Sequence, residues 1–231
     1  MKNFCVFLDI DNTILDFSRS EAAGLKTALG IYDIKADDEI LKVYRKFNME
    51  CWEALERGEM TKDVVLVERY RRLKDHFGFN YDPAAVNEAY ELALQKEGHL
   101  LPGALELLNE LFGKYRLFLA SNGVLTTQKC RLDIAGIKKY FEDIFISEVI
   151  GAEKPSKMFF DRCFESISNF DPDKAVMVGD SLTSDIKGGI NAGIKTCLYA
   201  PNGIKKDSPV VPDYVIHSLE ELPALLEKLC G

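Results

Sequence analysis

The sequence predicts an α/β protein, a doubly wound parallel sheet with an all-helical insertion after its first strand. Three observations carry this. The runs 4–8 (FCVFL), 116–120 (RLFLA) and 175–178 (AVMV) are short and mostly apolar, as strands covered on both faces require. Each ends in a polar cluster: Asp9-Ile10-Asp11-Asn12-Thr13, Ser121-Asn122-Gly123 and Gly179-Asp180. Between the first run and the second, residues 18 to about 97 place apolar side chains at offsets of three and four and contain no convincing strand.

In chain order, the insertion reads as four helices, with breaks near 30–37, 58–61 and 78–83. Thr61 stands where a helix N-cap is expected. Strand and helix then alternate. Pro102-Gly103 opens a helix running to Phe112, the strand 116–120 follows, and a helix runs to about Ala135. A short strand is expected over 143–147, and Lys154-Pro155 starts another helix with proline at or near its first turn. The strand 175–178 leads to a helix from about Leu182 to Ala192, stopped by Gly193. Strands at 196–199 and 214–216 come next, and Ser218 with Glu221 forms a capping box for the last helix. The segment 200–212 is a Pro/Gly loop. The expected domains are a core of 1–16 with 99–231 and a helical cap of 17–98.

The chain has 231 residues, 47% of them apolar, enough for a sizeable core. Its 29 basic and 37 acidic side chains leave a net charge of −8, which argues against nucleic-acid polymers and anionic membranes as partners. A small phosphorylated metabolite remains compatible, because one local cluster of donors can hold it. The six cysteines are scattered and lack zinc-ligand spacing, so buried free thiols in a reducing cytoplasm are expected. The run before Asp9 is too short for a signal-peptide core, and no apolar run approaches the roughly 20 residues of a membrane span.

A doubly wound sheet gathers its strand ends at one edge. Asp9, Asp11, Thr13, Ser121, Asn122, Lys154, Asp180 and Asp185 would then converge. Crowded carboxylates repel one another and call for a cation. A hard ion such as Mg²⁺ suits oxygen ligands and phosphate together, and Lys154 adds a second positive charge. At a strand tip, Asp9 can attack phosphorus to give an aspartyl-phosphate, or serve only as a metal ligand or cap. Asp11, two residues on, can protonate a leaving oxygen and then deprotonate water, or simply shape a turn. Ser121 and Asn122 open a helix and form an anion site, or an ordinary cap. Lys154 alone reads as a surface lysine. The glycine before Asp180 permits close approach of a ligand or metal, or marks a turn.

Taken together, FLDIDNT, FLASN, the lysine of EKP and VGDSLTSD resemble the four motifs of the haloacid dehalogenase (HAD) superfamily of phosphohydrolases, over nearly the whole chain. The resemblance implies a Rossmann-like core with a type-one helical cap. It implies Asp9 as nucleophile and metal ligand, and Asp11 as acid/base and, through its carbonyl, metal ligand. Thr13 would steady both aspartates through its hydroxyl, and Ser121 with the amide of Asn122 would hold phosphoryl oxygens. Lys154 would screen charge between nucleophile and phosphate, Asp180 would anchor Mg²⁺, and Asp185 would support the metal from behind. The dehalogenases of the superfamily lack the carboxylate two residues after the nucleophile, so Asp11 favours phosphoryl transfer. The strings DNTILDF, CWEALERGEMTKD, SNGVLTTQKCRL and GDSLTSDIKGG resemble the YjjG-type pyrimidine 5′-nucleotidases, which implies hydrolysis of nucleoside monophosphates.

Alternatives on the same fold are a sugar-phosphate or phosphoglycolate-type phosphatase and a phosphomutase. A phosphoacceptor signalling module uses similar residue types, but with its acceptor elsewhere in the order of strands. Trp52 could stack on a base or pack within the insertion. Arg69, Arg71 and Arg72 could reach an anionic substrate or form a solvated helix face. His76, His99 and His217 show no ligand spacing. Gly188-Gly189, inside a helix, points to close helix–sheet packing.

Overall fold

The computed structural model describes residues 3–204 and 209–230; residues 205–208 of the expected 200–212 loop lie outside the described residues. Among the described residues, six strands form one sheet: β1 (Cys5–Leu8), β2 (Arg116–Ser121), β3 (Asp143–Ile146), β4 (Ala175–Gly179), β5 (Lys195–Tyr199) and β6 (Tyr214–Ile216). Their order is β3-β2-β1-β4-β5-β6, and every pairing is parallel. This is the doubly wound order, as the alternation of strands and helices predicts. In register, Leu8 lies beside Leu119 on one flank and Val178 on the other. The next residue extends the ladder, with the Asp9 N–H donating to the Val178 carbonyl at 2.9 Å. The winding direction reverses between β1 and β4, and Asp9 and Asp180 follow those two strands directly.

Four helices follow β1: α1 (Phe17–Gly30), α2 (Asp38–Glu56), α3 (Lys62–Phe77) and α4 (Pro83–Leu94). The remaining helices among the described residues are α5 (Ala104–Leu111), α6 (Leu125–Ala135), α7 (Ser147–Ile150), α8 (Lys157–Ser166), α9 (Lys187–Ala192) and α10 (Leu222–Cys230). The chain divides into two compact units, 1–16 with 99–231, and 17–98.

In the first unit β1 is buried on both faces, which is why it reads as an unbroken apolar run. Val6 and Leu8 pack with Leu107, Leu108, Leu132 and Leu222 on one side. Cys5 and Phe7 pack with Phe118, Phe159, Phe160 and Met177 on the other. Burying each large side chain contributes about 1.5–3 kcal/mol. Gly188 and Gly189 lie where an added Cβ would come within 2.7 Å of Phe160 and 2.6 Å of Thr196, so the close helix–sheet packing expected of them is present. The Ser218–Glu221 capping box is also formed.

The helical unit has its own core of Leu25, Ala28, Leu29, Leu41, Tyr44, Tyr70, Leu73 and Tyr90. Asp37 caps α2 by accepting from the Ile40 N–H at 3.0 Å. Thr61 occupies the N-cap position of α3 but makes no capping hydrogen bond through its side chain.

Pro155 lies near the first turn of α8, one residue before Ser156, which accepts from the Met158 N–H and caps the helix. Two local expectations change. The strand at 143–147 stops one residue early, and Ser147 begins the short helix α7. The segment after Asp180 starts with a π-helical turn over Leu182–Ile186 before α9, closed by the Ile186 N–H on the Ser181 carbonyl at 3.1 Å. Among the described residues, no helix is long and apolar enough to cross a membrane.

Candidate active site

The centre of the site is an ammonium group with no exposure to spare. Lys154 is 1% exposed, and its Nζ donates to Asp9 Oδ1 at 2.7 Å, Asp185 Oδ1 at 2.6 Å and the Ala120 carbonyl at 2.7 Å. A protonated lysine has three N–H donors, and all three are engaged. With its donors committed to protein oxygens, Lys154 acts on a neighbouring anion through charge. Burial alone would depress the Lys154 pKa, but Asp185 and Asp9 outweigh it and hold the group above the usual lysine range.

Asp9, Asp180 and Asp185 each place a carboxylate oxygen within 4.8 Å of the others. Burial is the main cause pushing the Asp9 carboxyl up to about 7, with Asp185 and Asp11 adding repulsion against the pull of Lys154. Asp180 is also raised well above its ordinary value, by burial first and then by Asp9 and Asp185. One ammonium does not neutralise this set. A divalent cation fits it, since the donors are hard oxygens and their repulsion is what such an ion relieves. Both Asp185 oxygens are already taken, Oδ1 by Lys154 and Oδ2 by the Ser181 N–H at 3.1 Å. Gly179 makes room for that carboxylate: a Cβ there would sit 2.1 Å from Asp185 Oδ2. The close approach seen at this glycine is that of the Asp185 carboxylate.

Ser121 ends β2 and is buried. Its Oγ accepts from the Gly123 N–H at 3.0 Å and from Gln128 Nε2 at 3.1 Å. With both lone pairs occupied, the hydroxyl proton is what Ser121 has left to give. The Asn122 side chain is committed elsewhere. It accepts from the Lys154 N–H and donates to the Lys154 carbonyl, each at 2.8 Å. Asn122 therefore braces the Lys154 turn with its side chain, leaving its main-chain amide as the group for the anion-binding role expected of it.

Asp11 belongs to a tight turn in which the Ile14 and Leu15 N–H groups donate to the Ile10 carbonyl at 3.0 and 2.8 Å. Its two carboxylate oxygens are held from α6, Oδ2 by Gln128 Nε2 and Oδ1 by the Arg131 guanidinium. Arg131 also donates to Gln128 Oε1 at 2.9 Å. Thr13 corrects an expectation. Its hydroxyl is fully buried and, among the described residues, has no hydrogen-bond partner, joining neither aspartate. The turn is held by main-chain hydrogen bonds.

Gln128 and Arg131 have no assigned role in the sequence reading. A signal was present, since α6 buries Thr127, Gln128 and Arg131 where an ordinary helix would bury apolar residues. Features outside the site resolve differently. Trp52 donates to Asn48 Oδ1 at 3.0 Å and packs beside Cys51, Leu55 and Val65. Arg69 is no solvated residue: it is 2% exposed, bonds Asn48, Asn87 and Glu91, and lies against the rings of Tyr70 and Tyr90. Arg71 and Arg72 pair with Glu68, as a helix face does. All six cysteines are free thiols.

Similarities to known proteins point the same way. The family of haloacid dehalogenase-like hydrolases matches residues 5–193. The pyrimidine 5′-nucleotidase PynA of Streptococcus pneumoniae is 35% identical, over 96% of this chain and 94% of that protein. The pyrimidine 5′-nucleotidase YjjG of Escherichia coli is 32% identical, over 99% of this chain and 100% of that protein. The crystal structure of the HAD-hydrolase YfnB from Bacillus subtilis, bound to magnesium, superposes with a TM-score of 0.92 at 36% identity, covering 98% of this chain and 99% of that one.

Proposed function

Because the chain belongs to the haloacid dehalogenase-like hydrolase family, we propose that it is a Mg²⁺-dependent phosphatase acting on nucleoside monophosphates, pyrimidine 5′-nucleotides first among them. The observation that carries the chemistry is Lys154, buried and bonded to both Asp9 and Asp185, with Asp180 in the same acidic group. The nucleotide assignment rests on likeness to PynA and YjjG along nearly the full chain.

In this reading Asp9 and Asp180 hold the ion directly, with the Asp11 carbonyl, and Asp185 supports them. The bound Mg²⁺ supplies positive charge that lets carboxylates and a phosphate dianion share one site. Asp9 then stays ionised and attacks phosphorus. The Asp9–phosphorus bond forms as the ester oxygen departs, taking a proton from Asp11. Water next attacks the aspartyl-phosphate, Asp11 takes back a proton, and the Asp9–phosphorus bond breaks to release inorganic phosphate. The Ser121 hydroxyl and the Asn122 main-chain amide hold the phosphoryl oxygens, and Lys154 offsets charge from below.

The test is phosphate release with Mg²⁺ or with a chelator, over nucleoside monophosphates including oxidised and halogenated pyrimidines, hexose phosphates and phosphoglycolate. Metal-dependent turnover strongest on pyrimidine nucleotides is the expected result. A flat profile removes the nucleotidase assignment, and no release from any ester removes the phosphatase.

A further inference from the structure

Two buried polar residues of α6 reach back to the loop after β1, and the mechanism above leaves them without work. Gln128 is 2% exposed and Arg131 is 1% exposed. They lie three residues apart and so share one helix face. Gln128 Nε2 touches Asp11 Oδ2 and Ser121 Oγ together, while its Oε1 accepts from Arg131, which in turn holds Asp11 Oδ1. Gly123 keeps the space for this, since a Cβ there would sit 2.4 Å from Gln128 Nε2 and 2.9 Å from its Cγ and Cδ.

We infer that Gln128 and Arg131 are positioning residues that orient the Asp11 carboxyl group and tie it to the phosphate-binding hydroxyl of Ser121. The inference rests on Asp11 being the acid/base of a phosphatase. Three features support it. The contact is two-pronged, one donor to each carboxylate oxygen, so it fixes the plane of the group as well as its place. The donors come from a helix, and are therefore held more rigidly than a loop would hold them. Gln128 is shared between Asp11 and Ser121, so a phosphoryl oxygen that moves Ser121 is felt at Asp11. Proton transfer to a leaving oxygen is steep in geometry, and a misplacement of about 1 Å can cost on the order of 100-fold in rate.

The experiment compares Gln128→Leu, Arg131→Ala, Arg131→Lys and Asp11→Asn with the wild type on two esters. A 4-nitrophenyl phosphate expels a stable phenolate and needs little protonation; a nucleoside 5′-phosphate expels an alkoxide and needs it fully. The expected result is a rate of leaving-group release in the first turnover, followed by rapid mixing, lower by about 10- to 100-fold on the nucleotide. On the nitrophenyl ester that first-turnover rate should fall several-fold less, whereas hydrolysis of the shared intermediate falls alike on both. KM should change little, and Arg131→Lys should recover part of the loss. Equal losses of first-turnover leaving-group release on both esters, or wild-type rates in folded variants, overturn the inference while leaving the phosphatase reading intact if Asp11→Asn is impaired. An inactive wild type overturns both. Should Arg131→Ala fail to fold, Gln128→Leu carries the same comparison, because it removes one prong and leaves the ion pair.

Discussion

The Asn122 side chain and the Lys154 main chain are joined twice, each donating to the other over 2.8 Å. This reciprocal amide pair fixes the turn that aims the Lys154 ammonium at Asp9 and Asp185, whose own bonds to Nζ are 2.7 and 2.6 Å. Asn122→Ala breaks both links without touching any reacting atom. Supporting contacts of this kind typically contribute about 10- to 100-fold. A kcat reduced by that factor in steady-state assays is expected, and unchanged kcat would show that the turn holds Lys154 without Asn122.

Asp9→Asn is expected to end turnover while sparing the fold. An amide oxygen still accepts from Lys154, but the nucleophile is gone. It also removes a charge that burial, more than repulsion, disfavours in the folded protein. Thermal melts at pH 8 without metal should therefore show a melting temperature at or above the wild type. Residual phosphate release near the wild-type rate would exclude the covalent route through Asp9.

Stability should depend on pH with a definite sign. The folded Asp9 carboxyl is pushed up to about 7 from 3.8, chiefly by burial, and Asp180 moves the same way. A raised acid favours its protonated form in the folded state. Its contribution is present at low pH and is lost as pH climbs from about 4 through about 7. The buried Glu21 of the helical unit, raised mainly by burial, adds in the same sense. Without metal, the melting temperature is expected to fall across that window. Mg²⁺ competes with those protons, so its stabilising shift should be larger at pH 8 than at pH 5 and vanish with a chelator. Equal shifts at both pH values would place the ion away from Asp9 and Asp180.

Within the helical unit, Arg69→Ala should cost stability. The guanidinium is buried among Asn48, Asn87 and Glu91, at 2.9, 3.0 and 3.2 Å. Removing it breaks the ion pair to the Glu91 carboxylate, whose side chain is only 14% exposed, and takes a donor from Asn48 and Asn87. Breaking such a buried pair typically costs about 3–5 kcal/mol. Urea unfolding checks this, and a loss well under about 1 kcal/mol would mean that water replaces the guanidinium.

Much of the fold was legible before any coordinates. The parallel sheet followed from apolar runs that alternate with helical periods, and the four helices between residues 17 and 94 from their offsets of three and four. The strand-end aspartates were legible for the same reason, because a buried strand followed by Asp9 or Gly179-Asp180 can only deliver those groups to the sheet edge. Errors gathered where one or two residues compete locally. Ser147 begins a helix instead of prolonging β3, and a π-helical turn stands where the helix after Asp180 was expected to start.

By itself, the sequence determined the sheet, the helical insert and which residue types crowd the carboxyl edge, since these follow from periodicity and from residues adjacent in the chain. Only the tertiary structure decided who holds whom. Gln128 meets Asp11 across 117 positions and Arg131 meets it across 120, Asp185 fills the space left by Gly179, and the Thr13 hydroxyl bonds neither aspartate. The physical reason is that a side-chain hydrogen bond depends on ångström-scale placement of packed elements, which chain periodicity does not encode.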